Sequence, residues 1–285
     1  MIYLLLTILL NSVLFICFKL YPKYNIDTLQ AIVVNYITCV ITGSIFIGHF
    51  PVSAQSISYN WFPFAVFMGF LFISIFNFIG YSTRRFGITT TSVANKLSLV
   101  IPVIFSVILY NEKLTVVNIT GILLAFPAVY FSTRVKEDKH ATNILIPALL
   151  FLASGMLDTL MKYAEHTYLE NRQVQAIFPI HVFSIAAILG IALVGVQVAL
   201  GKTTLQWRNV IAGIILGIPN FFSIYYLIRL LNSDWLESSA AIPVNNIGIV
   251  VASALAAIIF FKEPFTKWRA VGIALSILAI ILIAL

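Results

Sequence analysis

Three of the charged side chains that lie inside otherwise apolar stretches are candidates for chemistry: Lys96, Asp158 and Lys162. A lysine at the centre of a membrane helix costs about 2.5–3.5 kcal/mol, so Lys96 is expected to face a partner or a wet cavity. There it would anchor a carboxylate or a phosphate; the alternative is a lysine that snorkels to the membrane surface. Asp158 and Lys162 are four residues apart and share a helix face. That spacing fits a protonatable carboxylate influenced by the lysine, or a structural intrahelical ion pair.

Uncharged polar residues form a second group of candidates. The carboxamides of Asn95, Asn245 and Asn246 both donate and accept hydrogen bonds, so they would bind a polar metabolite or link helices. His181 is either a proton carrier or a packed, hydrogen-bonded residue. Three further residues are candidates for contacts in a cavity or for helix packing: Asn77, Tyr225 and Tyr226.

The composition places these groups in a membrane. The chain has 285 residues, 61% hydrophobic and 9% charged, with a mean hydropathy of +1.02. Soluble domains have roughly 45–50% apolar and about 25% charged residues, which excludes a water-soluble globular fold, and disorder needs low hydrophobicity. We identify ten apolar runs of the length that crosses a bilayer: Ile2–Leu20, Thr28–Gly48, Trp61–Tyr81, Ile88–Tyr110, Val116–Phe131, Ile144–Tyr163, Val174–Leu200, Asn209–Leu230, Ser239–Phe261 and Trp268–Leu285. All four tryptophans lie at the ends of runs, as expected of an interfacial aromatic belt: Trp61, Trp207, Trp235 and Trp268.

The basic residues predict the orientation of the spans. Ten spans place both termini on one side, and Lys and Arg are in excess on the cytoplasmic side of membrane proteins. Twelve of the 17 basic residues lie opposite the termini: Lys19, Lys23, Arg84, Arg85, Arg134, Lys136, Lys139, Lys202, Arg208, Lys262, Lys267 and Arg269. Four lie on the side of the termini: Lys113, Lys162, Arg172 and Arg229. We therefore predict a bacterial-type inner (plasma) membrane protein with both termini outside the cytoplasm, and no nucleic-acid partner despite the net charge of +7.

Motifs of enzymatic chemistry are missing from the sequence. The two cysteines, Cys17 and Cys39, lie in apolar runs and give neither a disulfide framework nor a metal-ligand spacing. The chain has no His-Glu-x-x-His motif, no Gly-x-Ser-x-Gly elbow and no phosphate-binding P-loop. We expect no enzyme, no metal site, no cofactor and no ATP-driven pump.

The two halves of the chain resemble each other. Glu263 lies 151 residues after Glu112, and Gly272 lies 151 residues after Gly121. Asn246 follows Asn95 at the same distance. Each half contains five spans, an odd number, so the halves would face opposite ways in the membrane. Inverted repeats are a recurring architecture of secondary transporters, with the substrate site near the bilayer midplane.

Two segments make the chain resemble the EamA-type proteins of the drug/metabolite transporter superfamily. They are the N-E-K-L-T segment Asn111–Thr115, followed by Gly121, and the K-E-P-F-T segment Lys262–Thr266, followed by Gly272. The resemblance implies two tandem repeats, over residues 1–131 and 144–285 with a linker at 132–143. It also implies an all-α fold of ten transmembrane helices with a central cavity lined by the third, fourth, eighth and ninth helices. Lys96 departs from the pattern of many members.

Together, these features predict a secondary transporter. Its substrate would be a small polar metabolite, an amino acid or similar, and the resemblance implies export. The partners would then be this small-molecule substrate, the lipid bilayer and a coupling proton, carried by Asp158, Lys162 or His181. The alternatives are a lipid-carrier flippase of the same fold and a membrane scaffold that transports nothing.

Overall fold

The fold is described from a computed structural model over residues 1–110, 115–133, 144–169, 172–231 and 238–285. This part of the chain is all-α, and ten of its segments are long and apolar enough to cross a membrane, which confirms the ten predicted spans and a multi-pass membrane protein. The helices are α1 Ile2–Leu20, α2 Thr28–Ile47, α3 Phe62–Phe86, α4 Ile88–Leu97, α5 Val100–Tyr110, α6 Val116–Thr133, α7 Leu145–Tyr168, α8 Arg172–Ala199, α9 Trp207–Leu231, α10 Ser238–Phe261 and α11 Lys267–Ala284.

Some predicted features lie outside the described residues. They are residues 111–114 of the first motif with Lys113, residues 134–143 of the linker with their basic side chains, and Trp235. The first two linker residues, Ser132 and Thr133, still belong to α6.

Side chains and glycine define several helix ends. Asp27 begins α2 because its Oδ1 accepts a hydrogen bond from the Gln30 amide at 3.0 Å, satisfying an amide that the helix cannot. Thr266 does the same for α11, where its hydroxyl accepts from the Arg269 amide at 3.2 Å. Gly48 ends α2 with a φ of 83°, which glycine adopts without steric cost.

The fourth span is two helices, not the continuous helix that the apolar run Ile88–Tyr110 predicts. α4 ends at Leu97 and α5 begins at Val100. The physical cause is Pro102, which has no amide proton and whose ring clashes with the carbonyl four residues earlier, that of Ser98. The Ser98 carbonyl instead accepts a hydrogen bond from the Ile101 amide at 2.9 Å. The break is a tight turn in which Ser98 keeps right-handed helical dihedrals, with φ of −57° and ψ of −17°.

The chain divides into two compact units that each draw on both halves of the sequence. Unit 1 comprises Met1–Lys19, Ile79–Thr159 and Phe222–Leu285, and unit 2 comprises Leu20–Phe78 and Leu160–Phe221. α4, α6, α10 and α11 pack together within unit 1, and α2 packs on α8 within unit 2. The predicted repeat makes α6 equivalent to α11 and α2 equivalent to α8. The two helices of each of these pairs therefore belong to the same unit.

α6 and α11 cross at two glycines. A Cβ atom added to Gly121 would lie 2.8 Å from the Ala279 carbonyl oxygen, and one added to Gly272 would lie 2.6 Å from the Ser132 amide nitrogen. Real Cβ atoms essentially never approach backbone this closely. Only glycine lets the two helix backbones meet in this way.

Replacing Gly121 with leucine is therefore expected to destabilise the protein. Overfilling a packed site costs about 1–3 kcal/mol, and the neighbouring atoms here are backbone that moves only with its helix. Thermal unfolding of the purified variant in detergent would report the loss. Gly195→Leu is the matched control, because its Cβ meets nothing within 4 Å; equal melting temperatures for the two variants would contradict this assignment.

Candidate substrate site

The broken fourth span carries the charged residue that the sequence singles out. Lys96 lies in the last turn of α4, just before the break, and its side chain is half-buried. It interacts electrostatically with Asp158 of α7, whose side chain is exposed. Within the described part of the chain, the Lys96 ammonium group forms no direct ion pair or hydrogen bond. The Lys96 ammonium group and the Asp158 carboxylate therefore interact electrostatically without forming a direct ion pair.

This pairing differs from the one that the sequence predicts. The spacing on α7 favours Lys162 as the neighbour of Asp158, yet the cation that acts on the Asp158 carboxylate is Lys96 from another helix. Lys162 lies exposed one turn further along α7. α7 approaches the break closely, which accounts for the electrostatic interaction between Asp158 and Lys96. A Cβ on Gly155 of α7 would lie 2.7 Å from the Ser98 carbonyl oxygen.

Ser98 connects the break to Asp158, and sequence reasoning does not identify it. Its hydroxyl group lies 3.2 Å from Oδ2 of Asp158 and also donates to the Asn95 carbonyl oxygen. A hydroxyl group has a single proton to donate. The Asn95 carbonyl oxygen and the Asp158 carboxylate therefore share that proton. The signal in the sequence is Pro102, which marks Ser98 as the residue whose carbonyl loses its helical partner.

Asparagine side chains lie beside Lys96 and Asp158. Asn95 donates from Nδ2 to the Ser154 hydroxyl at 2.9 Å, and Asn246 donates from Nδ2 to the Lys96 carbonyl oxygen at 3.4 Å. Asn245 is buried, and its Oδ1 accepts no hydrogen bond from any described residue. A buried acceptor without a donor is costly. Asn245 is therefore a buried polar group that the described residues leave unsatisfied.

The remaining candidates have other partners. Tyr225 accepts a hydrogen bond from Nε of Arg229 at 2.8 Å, and Tyr226 stacks on Tyr3 with ring centroids 6.1 Å apart. Asn77 belongs to unit 2, where its Nδ2 donates to the Ile73 carbonyl oxygen of its own helix at 2.8 Å.

His181 also belongs to unit 2, and both of its ring nitrogens have partners. Nδ1 lies 2.9 Å from the Ile177 carbonyl oxygen and Nε2 lies 2.8 Å from the Ser56 hydroxyl. A carbonyl only accepts, so Nδ1 carries a proton and the neutral ring accepts at Nε2. Trp61 packs edge-on against this ring, with centroids 5.0 Å apart, and is buried. Trp61 thus differs from Trp207, which is exposed.

A second polar cluster in unit 1 surrounds Glu263 of the second motif. Oε1 of Glu263 accepts from the Ile88 amide at 2.9 Å and lies 3.1 Å from Nζ of Lys19. Oε2 lies 3.6 Å from the buried guanidinium of Arg269. Gly87, with a φ of 92°, provides the space for the Glu263 carboxylate, because a Cβ at this position would lie 2.6 Å from it. Glu263 is therefore the residue that caps α4, the helix carrying Lys96.

Neither cluster has the composition of a metal centre. Over the described ranges, no three His, Cys, Asp or Glu side chains lie together as metal ligands would. The arrangement around Lys96 instead offers one cation, one carboxylate and amide groups. These are the groups that bind a small polar or charged molecule.

Comparisons with known proteins identify the family and the fold that this chain resembles. The chain is 26% identical to an uncharacterised protein of Haemophilus influenzae over 287 residues, covering 96% of this chain and 94% of that one. A solved crystal structure of a protein with 16% sequence identity has the same fold, with a TM-score of 0.63 and coverage of 99% of this chain and 94% of the other. The resemblance inferred from the two motifs is confirmed, because residues 1–134 match the EamA-like transporter family.

Proposed function

We propose that the protein is a secondary transporter that exports a small polar metabolite, an amino acid or similar, across the inner membrane by alternating access. The observation that carries the proposal is the broken fourth span with Lys96 at its break. Interrupted helices form the binding sites of many transporters. The match of residues 1–134 to a transporter family supports the same conclusion.

Lys96 would bind the substrate's carboxylate or phosphate group. Its ammonium group is half-buried and forms no direct ion pair or hydrogen bond among the described residues. Charge-assisted hydrogen bonds to an anion are about twice as strong as neutral ones. Asn245 and Asn246 would bind the substrate's other polar groups, and Tyr225, Tyr226 and Asn77 remain further candidates.

Alternating access is supported by the internal repeat. Gly121 approaches Ala279, and Gly272 approaches Ala128 and Ser132. Ala279 lies 151 residues after Ala128, the same separation as that between the two glycines. A two-fold relation between the repeats would produce this pattern, in which each contact recurs between residues 151 positions further along or back in the sequence. Exchange of conformations between such repeats would open the site to either side in turn.

Asp158 is our leading candidate for proton coupling, ahead of Lys162 and His181. Its carboxylate is exposed, it interacts electrostatically with Lys96, and it accepts a hydrogen bond from the Ser98 hydroxyl at 3.2 Å. Protonation of Asp158 would release Lys96 from its electrostatic partner. His181, with both nitrogens bound, has less freedom to exchange a proton.

Replacing Asp158 with asparagine is expected to remove the pH dependence of transport. Asparagine keeps the shape of a protonated aspartate but does not titrate. In proteoliposomes, we expect wild-type flux to change with an imposed pH difference and Asp158→Asn flux to be lower by about 10-fold and insensitive to it. A variant that responds to pH as the wild type does would exclude Asp158 as the coupling group.

The experiment that tests the function is a comparison of extracellular metabolites. Cells with the wild-type protein and cells with an empty vector are compared at matched growth, and all small polar metabolites in the medium are measured. We expect one metabolite or a related group to accumulate outside only with the wild type. Equal media would contradict export, and a metabolite depleted by the wild type would indicate uptake instead.

A further inference from the structure

A cavity of about 520 Å³ lies within unit 2. It is formed by the N-terminal half of α2, the C-terminal half of α8 and the beginning of α9. Its walls are mostly apolar, and include Val33, Val194, Val198, Leu205, Trp207 and Val210. An apolar cavity of this size takes an apolar ligand or part of one.

The polar residues that line the cavity are already hydrogen-bonded to each other. Asn209 donates from Nδ2 to Oε1 of Gln30 at 2.7 Å, and Gln30 donates from Nε2 to the Thr203 hydroxyl at 2.9 Å. Oδ1 of Asn209 accepts from the Asp27 amide at 3.0 Å. These bonds fix the short connection before α9 against the start of α2. They leave little for a polar ligand to bind inside the cavity.

Two basic residues adjoin the lining of the cavity. Arg208 donates from Nε to Oε1 of the lining residue Gln206 at 2.6 Å, and Lys202 precedes Thr203, whose hydroxyl accepts from the lining residue Gln30. Lys202 and Arg208 are both exposed in and just after the connection from α8 to α9, and they flank Trp207, which is 73% exposed. Asp27 contacts the same connection, because its Oδ2 lies 3.4 Å from the Thr203 hydroxyl. Its other carboxylate oxygen caps α2. The cavity therefore has an apolar interior and a positively charged rim beside an interfacial tryptophan.

We propose that this cavity is a binding site for an anionic phospholipid. An acyl chain would occupy the apolar interior, and the phosphate group would lie between Lys202 and Arg208. Basic residues beside gaps between membrane helices bind anionic headgroups, and an exposed tryptophan at a helix end lies at headgroup level. The sequence places Lys202 and Arg208 on the cytoplasmic side, where anionic lipids attract such groups.

The test measures lipid binding to the purified protein in detergent by native mass spectrometry. The probes are phosphatidylglycerol and phosphatidylcholine with identical acyl chains. We expect phosphatidylglycerol to bind the wild type roughly 10- to 30-fold more tightly, since each cation near a headgroup favours an anionic lipid several-fold. Lys202→Gln with Arg208→Gln would abolish this preference and leave phosphatidylcholine binding unchanged. Equal binding of the two lipids by the wild type would overturn the proposal.

A second variant tests the acyl-chain part of the site. Gly195 lines the cavity, and a Cβ there meets nothing within 4 Å, so Gly195→Phe would fill the space without strain. Both lipids should then bind at least 10-fold more weakly. Ala192→Phe is the control, because Ala192 is exposed on the same helix and does not line the cavity. If the two phenylalanine variants bind lipid equally, the cavity is not the site.

Discussion

Replacing Lys96 with alanine is expected to reduce transport by about 10- to 100-fold. A hydrogen bond to a charged group contributes about 1.5–3 kcal/mol, and 1.4 kcal/mol is a factor of ten in affinity. Lys96 lies at the break of the fourth span and forms no direct ion pair or hydrogen bond among the described residues, so its removal takes away a substrate contact and little packing. Initial flux of the identified metabolite in proteoliposomes, below saturation, would measure the loss.

Two further variants make this measurement specific. Lys96→Arg keeps the charge and is expected to retain part of the flux, since the guanidinium group is longer and planar. Lys267→Ala removes an exposed lysine at the start of α11 and is expected to transport as the wild type does. Should Lys96→Ala match Lys267→Ala at equal protein levels, Lys96 would be a snorkelling residue and the proposed site would be wrong.

Replacing Glu263 with alanine is expected to have the largest effect on stability. The substitution leaves the buried Arg269 guanidinium without its carboxylate, and breaking a buried ion pair in this way costs about 3–5 kcal/mol. It also removes the acceptor of the Ile88 amide at the start of α4. We expect a melting temperature lower by roughly 10 °C and a smaller fraction of monodisperse protein in size-exclusion chromatography.

The other partner of Glu263 provides the comparison. The Lys19 side chain is 25% exposed, so water compensates its loss, and Lys19→Ala should cost at most about 1 kcal/mol. The two variants remove opposite ends of one contact. Equal destabilisation would mean that the burial of Arg269 does not determine the effect.

Hydropathy predicts the spans because each depends only on local composition. The runs beginning at Ile2, Thr28 and Val116 coincide with the first residues of α1, α2 and α6. The break after Leu97 is not visible in hydropathy, because hydropathy reports composition and the break is the loss of a backbone hydrogen bond at Ser98. Pro102 carries the signal, and its effect falls four residues earlier in the chain, at Ser98.

Contacts between distant residues lie beyond what the sequence predicts. The spacing on α7 indicates a Lys162 neighbour for Asp158, but the partner is Lys96, which a different helix brings there. Glu263 is recognisable as part of a motif, yet its role depends on Ile88, 175 residues away. Spacing identifies residues on one helix face; which helix lies opposite is decided by packing, as where Gly155 approaches Ser98.

The capping of α4 by Glu263 has a consequence for biosynthesis. Proteins begin to fold during translation, as successive segments of the chain become available. Every residue of unit 2 has been made once the ribosome has passed Phe221. α4, although it is inserted early, keeps an unfinished first turn until Glu263 emerges 175 residues after Ile88. The helix that carries Lys96 is thus completed late, and the nascent protein would acquire its binding site only after most of its membrane insertion is over.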